Sequence, residues 1–364
     1  MKNLFEKTAI NNIEVKNRFI RAATWDETAE ENGHINEVTI KRYEDLAKGG
    51  VGLILTGYAF ISKDEHPNPG MFGIYDDTFI EEYKILVDRV HKYETKIAMQ
   101  IVYGGSQTEH PDASKMNIYG PSAVKNLVSG ITPKEATKDD IRAIVMKFGD
   151  AAARTKEAGF DAVEIHAAHG YLLSQFLTPF YNRRTDEYGG GIHNRARIIY
   201  EVIEEIRKRV GPSYPIMIKI NFDDLMKKNQ GLTKEESIEI FKRIDELGID
   251  MIEPSAANLS SGEGAVPFLK GVNTVEKQSY FKEDVMNIAS VVKAKVILMG
   301  GNKNVGLMED ILNTTKIEYF SLARTLLCEP DLINKWAENK ESKPKCISCN
   351  RCWDVVPNSC IFNR

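Results

Sequence analysis

The chain has 364 residues, of which 42% are hydrophobic and 27% charged, a composition typical of a globular protein with a large core. Its 48 basic and 52 acidic residues leave a net charge of -4, which gives no sign of a surface for nucleic acid or a membrane. No apolar run approaches the roughly 20 residues of a membrane helix, and the charged N-terminal segment lacks the apolar core of a signal peptide. We therefore expect a cytoplasmic protein whose partner is a small molecule.

Short β-branched runs alternate along the chain with longer segments of helical period. We predict strands at 19–24, 51–56, 96–100, 162–166, 216–220, 251–253, 296–299 and 319–322. Between them, apolar residues recur at three- and four-residue spacing, as in TFIEEYKILVDRVHKY and NRARIIYEVIEEIRKRV, which indicates amphipathic helices. In AKGGVGLILT, EAGFDAVEIH and ELGIDMIEPS a glycine comes just before the next strand, as is typical of a helix end.

This alternation predicts an α/β fold, and specifically a (β/α)8 TIM barrel. The strands are short and largely apolar, which suits a parallel sheet buried on both faces. A doubly wound open sheet is the alternative, but eight units are many for one open sheet and no G-x-G-x-x-G follows the first strand. We expect residues 1–340 to form the barrel and residues 341–364 to form a cysteine-rich C-terminal tail.

Polar rings cluster where the fourth predicted strand ends, in EIHAAHGYLLSQFLTPFYNRRTDEYGG at 164–190. His166 lies at the end of the strand, and His169 and Tyr171 follow it. Barrel active sites form from the loops after the strands, so these three rings are candidates for one site. They could instead be buried structural residues. A zinc site would need a further ligand from another strand end, and no other strand end offers a histidine.

The motifs H-x-x-H-G-Y-L, F-L-T-P and N-x-R-x-D-x-Y-G-G in this stretch resemble the signature of the Old Yellow Enzyme family of FMN-dependent oxidoreductases. Further segments resemble the family in the same order along the chain: VKNRFIRAAT, VGLILTGYAF, KIAMQIVYGG, MIKIN, VILMGG and SLARTLLCEPDL. The resemblance therefore covers most of the chain, and it is closest to single-domain members related to the N-terminal part of 2,4-dienoyl-CoA reductase.

The resemblance implies a reaction in which NADH or NADPH reduces FMN, and FMN then reduces the activated C=C bond of an enone or enoate. His166 and His169 would hydrogen-bond the substrate carbonyl as negative charge develops on it. Tyr171 would donate a proton to the α-carbon. The hydride would come from flavin N5, because no side chain supplies one.

The resemblance also implies the contacts that hold the flavin ring. Gln100, at the end of the third strand, would hydrogen-bond the pyrimidine edge, although a buried amide satisfied within the protein is the alternative. Ala23, Thr24 and Tyr58 occupy positions where the family packs against the ring. Lys219 stands where the family often has an arginine beside N1 and O2, so a positive charge remains but a planar two-point contact does not.

The phosphate of FMN would lie at the seventh and eighth strands, which is the usual phosphate position of such barrels. Gly300 and Gly301 follow the seventh strand, and Ala323 and Arg324 follow the eighth. A pair of glycines at a strand end could equally be a simple turn, and Arg324 one strand later favours the phosphate site.

Two further positions depart from the family pattern. Trp25 falls, in a gapless comparison, where relatives often have a small Cys or Thr, and one step of register would put Thr24 there instead. A bulky ring at this place would narrow the substrate pocket or change the flavin potential. After the third strand, Tyr103 and Gly104 stand where His or Trp is common.

Four cysteines crowd the C-terminal tail as C-x2-C-x2-C-x7-C: Cys346, Cys349, Cys352 and Cys360. In a cytosolic chain such a group more often indicates a metal site than disulfides. Larger relatives similar to 2,4-dienoyl-CoA reductase carry an iron-sulfur cluster here, with longer gaps between the later cysteines. A [4Fe-4S] cluster, a zinc ion and metal-free thiols all stay open. Cys328 is expected to be an ordinary buried residue.

Two other functions stay open beside ene reduction. One is an NADH oxidase or a flavin or quinone reductase, which Trp25 favours if it excludes enones. The other is an electron-carrier subunit whose cysteine tail docks a separate reductase. A flavin-free metal hydrolase is a more distant alternative. Relatives commonly form dimers or tetramers, so the resemblance implies a homo-oligomer.

Overall fold

The computed structural model describes residues 1–227, 229–262 and 266–364. Across these residues, eight parallel strands close into a barrel. They are β1 (Phe19–Arg21), β2 (Leu53–Leu55), β3 (Lys96–Val102), β4 (Ala162–Ala167), β5 (Ile216–Asp223), β6 (Met251–Ala256), β7 (Lys295–Leu298) and β8 (Tyr319–Leu322). Each coincides with a predicted strand. The ring is closed because β3 pairs with β4 and β8 pairs with β1, so the (β/α)8 barrel is confirmed and the open sheet is wrong.

Helices follow the strands and cover the outside of the barrel. They are α1 (Glu37–Lys48), α2 (Ile80–His91), α3 (Lys138–Glu157), α4 (Arg197–Val210), α5 (Lys234–Glu246), α6 (Lys282–Val291), α7 (Val305–Thr314) and α8 (Leu332–Glu338). Thr137 begins α3 with a capping box to Asp140, which satisfies amide groups that the first helical turn leaves free. Gly159 and Gly248 follow α3 and α5 with φ of 89° and 84°, the left-handed conformation expected of a helix-ending glycine.

Shorter elements decorate the barrel. Three short helices accompany the strand ends: Leu172–Leu177, Ile192–Arg195 and Arg324–Cys328. Short strands pair in parallel outside the ring: Ala59–Phe60 with Phe72–Gly73, and Tyr119–Gly120 with Lys134–Glu135. Single 3-10 turns lie at Asp77–Phe79, Ala113–Lys115, Leu259–Ser261, Val275–Lys277 and Ile361–Asn363. Among the helices described, none is long and apolar enough to cross a membrane.

The two faces of each barrel strand serve different cores, because successive side chains point to opposite sides. On β3, Ile97, Met99 and Ile101 point outward into the core shared with the helices. Ala98, between them, belongs to a separate inner cluster. That inner cluster consists of Ile10, Val15, Ile20, Leu53, Leu55, Ala98, Ala162, Met217, Met251, Ile297 and Tyr319. An antiparallel hairpin, Thr8–Ile10 with Ile13–Val15, contributes to it and closes the N-terminal end of the barrel.

One inward step further along the strands, the barrel interior becomes polar. Five buried polar side chains each lie two residues after a member of the inner cluster. We call them the polar layer: Gln100, Glu164, Lys219, Glu253 and Ser321. Because side chains alternate along each strand, the inward-facing residues form an apolar layer with the polar layer next to it. The next inward-facing positions lie at the C-terminal end of the barrel.

Candidate active site

The C-terminal ends of the strands surround a cavity of about 520 Å³. Its wall includes most of the predicted site residues: Ala23, Thr24, Tyr58, His166, His169, Tyr171, Ala323 and Arg324. Gln100 and Lys219 lie deeper, in the polar layer. Gly300 and Gly301 line a second cavity of about 70 Å³, and Ala323 and Arg324 belong to the walls of both. The fold thus brings the predicted residues to one end of the barrel.

His166 ends β4 as a buried, neutral imidazole. Its Nδ1 accepts a hydrogen bond from the backbone N-H of Ala168 at 3.3 Å. Nε2 therefore carries the ring proton and is left to donate. Burial, with smaller contributions from His169 and Lys219, holds the pKa of His166 well below its usual range.

His169 lies beside His166, with ring centroids 5.3 Å apart and the rings perpendicular. Its backbone has a φ of 62°, in the left-handed region, which turns the chain at the strand exit. Nε2 of His169 hydrogen-bonds Oγ of Ser255 on β6 at 2.8 Å, so Nδ1 is the nitrogen left for a ligand. Burial and then the charge of Lys219 lower the pKa of His169 to about 3, so this ring is also neutral near pH 7.

Tyr171 presents a protonated phenol to the same cavity. Burial raises its pKa to about 12, and hydrogen bonds from Tyr58 and Asn68 lower it in part. The Tyr171 hydroxyl accepts a hydrogen bond from Nδ2 of Asn68 at 3.0 Å. At neutral pH the group can therefore act as an acid but not as a base.

The polar layer is bonded internally, from strand to strand. Gln100 donates through Nε2 to Glu164 at 2.7 Å, and Lys219 donates through Nζ to Glu253 at 2.9 Å. Ser321 also donates to Glu253. Burial and then the nearby Glu253 raise the pKa of Glu164 to about 8. The positive charge expected at Lys219 is present, but Glu253 compensates it, a partner that the motif did not reveal.

The second cavity suits the phosphate arm of a ligand because glycines form its base. Gly300 has a φ of 122° and Gly301 a φ of 76°. A Cβ on Gly301 would lie 2.8 Å from Cγ1 of Val272, so the close packing behind this backbone and its positive φ both favour glycine here. Arg324 reaches this region while donating to the carbonyl of Leu269 at 2.8 Å and to Asn350.

The two cavities share the wall residues Ala323 and Arg324, so a flat ring in the larger one and a phosphate on the glycines of the smaller one would lie side by side. Trp25 also lines the larger cavity, where its ring is held by a hydrogen bond from Nε1 to the carbonyl of Pro69 at 2.9 Å. Thr24 lines the same wall, so both register alternatives face the cavity. The residues present therefore fit FMN.

The C-terminal tail packs against this mouth. Cys346, Cys352 and Cys360 are buried, Cys349 is partly exposed, and all four are free thiols. Cys328 is buried as expected, but it packs against Cys346 and Cys360, which sequence spacing did not indicate. Over residues 1–227, 229–262 and 266–364, no three or more His, Cys, Asp or Glu side chains are arranged around a single metal position.

Hydrogen bonds from both the barrel loops and the tail join the two. Lys303 donates through Nζ to the carbonyls of Val272 at 2.7 Å and Cys346 at 2.6 Å, and to Oγ of Ser348 at 2.7 Å. Asn358 Nδ2 donates to the carbonyl of Trp25 at 2.8 Å. Cys352, Trp353 and Val356 consequently line the large cavity together with the barrel residues.

Several residues of the site escaped the sequence motifs. Glu164 and Glu253 could have been found, because each stands two residues before another inward-facing polar position on its strand, His166 and Ser255. Asn68 lies in the loop HPNPG, where no periodicity indicates which way a side chain points. Lys303 also lies in a loop, so no periodicity indicates the direction of its side chain.

Comparison with known proteins identifies relatives along nearly the whole chain. The model of the NADH:flavin oxidoreductase / NADH oxidase family matches residues 3–343. An NADH oxidase of Thermoanaerobacter brockii is 33% identical over 352 residues, which cover 96% of this chain and 53% of that protein. A cinnamate reductase of Clostridium sporogenes is 31% identical over 387 residues, which cover 100% and 57%.

Among solved structures, 2-naphthoyl-CoA reductase in complex with 2-naphthoyl-CoA is similar with a TM-score of 0.88 and 26% identity, over 96% of this chain and 54% of that one. The chain spans about half the length of these relatives. The family match and the closed barrel agree with the motifs at 164–190. The chain belongs to the NADH:flavin oxidoreductase / NADH oxidase family, the Old Yellow Enzyme family of FMN-dependent NAD(P)H oxidoreductases.

Proposed function

We propose that the protein uses NADH or NADPH to reduce the activated C=C bond of a small α,β-unsaturated carbonyl compound. The observation that carries this proposal is the convergence of two neutral imidazoles and one protonated phenol on a single cavity, at His166, His169 and Tyr171. When bound, FMN supplies the hydride chemistry that side chains lack.

Nine residues would hold the FMN. Gln100 and Lys219 would bind the pyrimidine edge from the polar layer, and Lys219 would do so as part of an ion pair with Glu253. Contacts with the ring and phosphate would come from Ala23, Thr24, Tyr58, Gly300, Gly301, Ala323 and Arg324.

The two histidines would bind the substrate carbonyl oxygen. His166 donates from Nε2. His169 donates from Nδ1 when the Ser255 hydroxyl donates to its Nε2. Two preorganised N-H donors in a buried site favour the charge that develops on this oxygen during reduction, and they align the alkene with Tyr171.

Tyr171 would give its proton to the α-carbon. Its raised pKa keeps the phenol protonated across the neutral range, so the donor is in the right state before the substrate arrives. The relative named cinnamate reductase supports an alkene conjugated to a carbonyl group as the class of substrate.

A second candidate function is an NADH oxidase or quinone reductase, which the name of the Thermoanaerobacter brockii relative favours. Trp25 on the cavity wall would support it by narrowing the space for enones. The carrier hypothesis requires Cys346, Cys349, Cys352 and Cys360 to come together around a [4Fe-4S] cluster beside the cavity, an arrangement that the described residues do not show. Iron and acid-labile sulfide in anaerobically purified protein, assayed together with zinc, would distinguish a cluster from zinc or free thiols.

The deciding experiment separates the two half-reactions by anaerobic stopped-flow absorbance at the flavin band. In Tyr171→Phe, reduction by NADH or NADPH should stay within about twofold of wild type. Reoxidation by 2-cyclohexen-1-one should slow by about 10²–10⁴-fold, because a general acid is lost. Tyr200→Phe, a tyrosine on the outer helix α4, is the control and should change neither step. Equal slowing of both half-reactions in Tyr171→Phe would contradict the proposed role.

A further inference from the structure

One buried amide joins two tyrosine hydroxyls on the cavity wall. Nδ2 of Asn68 lies 3.0 Å from the Tyr58 hydroxyl oxygen and 3.0 Å from that of Tyr171. Asn68 is 4% exposed. A primary amide has two N-H donors, so both are used on the two phenols.

The orientation of this amide is set by the surrounding backbone. Oδ1 of Asn68 accepts from the backbone N-H of Glu109 at 3.0 Å, which turns Nδ2 toward the tyrosines. The flanking prolines are held as well, since the carbonyl of Pro67 accepts from Glu109 N at 2.9 Å and the carbonyl of Pro69 accepts from Trp25. Reversing the amide would set its NH2 group against the Glu109 N-H, with two donors facing each other.

We propose that Asn68 is a positioning residue: it directs the Tyr171 proton toward the substrate and stabilises the phenol oxygen as that proton leaves. The inference rests on the role proposed above for Tyr171. It extends that role to a second residue of the cavity wall, which acts on the reaction through Tyr171.

The chemistry follows from the direction of the hydrogen bond. A phenol oxygen that accepts an N-H keeps its own O-H for another acceptor, so Asn68 does not compete for the proton. Once the proton has moved to carbon, the oxygen is negative and the same contact becomes a charge-assisted hydrogen bond, roughly twice as strong as a neutral one. In agreement, burial raises the pKa of Tyr171, and hydrogen bonds from Tyr58 and then Asn68 lower it.

The test uses Asn68→Ala and Asn68→Asp in the FMN-loaded enzyme. Reoxidation by 2-cyclohexen-1-one should slow by about tenfold in Asn68→Ala, at or below the loss for one oxyanion donor. It should slow by about a hundredfold in Asn68→Asp, because a carboxylate accepts a hydrogen bond from the Tyr171 O-H and repels the forming phenolate. Reduction by NAD(P)H should stay within about twofold in both. The alkaline limb of the reoxidation rate should move to higher pH in Asn68→Ala.

A double-variant cycle shows whether the effect passes through Tyr171. In a Tyr171→Phe background, Asn68→Asp should cause no further slowing, because the phenol that donates the proton is gone and the remaining contact, to Tyr58, has no part in proton transfer. Asn182→Asp is the matched control: Asn182 is also buried, but its amide holds the carbonyls of Phe176 and Tyr188, away from the phenols. Any loss there should affect both half-reactions alike.

The outcomes separate this inference from the proposed function. Slow reoxidation in Tyr171→Phe, together with wild-type rates in both Asn68 variants, would overturn the inference alone. Full additivity of Asn68→Asp and Tyr171→Phe would also overturn it. A wild-type reoxidation rate in Tyr171→Phe would overturn the proposed function, and the inference with it.

Discussion

The polar layer and the C-terminal tail both border the cavity, but they are held in different ways. In the polar layer, side chains on neighbouring strands bond one another, as Lys219 does with Glu253. The tail, residues 341–364, has a 3-10 turn at Ile361–Asn363 as its regular structure. It is joined to the barrel loops by hydrogen bonds such as those from Lys303 to the Cys346 carbonyl and the Ser348 hydroxyl.

We therefore expect substitutions in the two regions to have different effects on stability. Strand register sets the polar layer, so removing one member leaves its buried partner in place without compensation. The tail lies outside the barrel sheet, so removing one of its hydrogen bonds should loosen the segment around that bond and leave the barrel intact.

The largest effect is expected from breaking the ion pair in the polar layer. Lys219→Met leaves the Glu253 carboxylate buried and uncompensated, which should lower the free energy of unfolding by about 3–5 kcal/mol. Lys219→Met with Glu253→Met should recover most of the loss. Urea unfolding at saturating FMN measures both.

Lys242→Met is the control for this pair. Lys242 bonds Glu239 on the surface of α5 at 3.1 Å, and such exposed pairs contribute about 0.5 kcal/mol or less. If Lys219→Met costs no more than this control, the polar layer is not the coupled unit that we describe.

A smaller and local effect is expected from Lys303→Met. Its loss leaves the carbonyls of Val272 and Cys346 without this donor, at a cost of about 1.5–3 kcal/mol for hydrogen bonds from a charged group. Hydrogen exchange followed by mass spectrometry should show faster exchange over residues 344–352, with strands β3 to β6 unchanged. Lys340→Met, on the surface beside Glu309, serves as the control and should leave that segment protected. Faster exchange throughout the barrel would contradict the prediction that the tail loosens independently of the barrel.

The effect that is smallest per step of pH, and builds up gradually, concerns protonation in the polar layer. The pKa of Glu164 is raised from 4.5 to about 8, so its protonated form favours the folded state. Its contribution to stability is fully present below pH 4.5 and is lost as pH rises to about 8. Replacing Glu164 by Gln should flatten the fall of unfolding free energy over this range by up to about 1.4 kcal/mol per pH unit. Glu65, also buried with a pKa of about 8, should preserve a similar slope in the variant. An unchanged slope would mean that Glu164 is ionised in the folded protein.

The barrel could be predicted because its signals are local. Each strand is a short β-branched run, each helix repeats at three- and four-residue spacing, and glycines such as Gly159 and Gly248 end helices. The candidate residues after β4 were also predictable, because the C-terminal ends of all strands in such a barrel lie at the same face.

Other parts of the site depend on contacts between distant segments. The predicted charge of Lys219 is compensated by Glu253, 34 positions away. Asn68 contacts Tyr171 across 103 positions. The sequence around Lys219 or Asn68 does not indicate which residue it contacts. A loop position has no periodicity, and an ion pair can form in many arrangements.

Sequence by itself determined the (β/α)8 barrel, the family and the residues at the strand ends, because hydrophobic period and ordered motifs act over short distances. The contacts that set the charge, orientation and hydrogen bonding of those residues depend on the tertiary structure. Closure of the sheet brings Glu253 to Lys219 and Ser255 to His169, and loop packing brings Asn68 to Tyr171 and Cys328 to Cys360. The physical reason is that hydrogen bonds and thiol contacts need atoms within a few ångströms, a condition that folding sets and spacing along the chain does not.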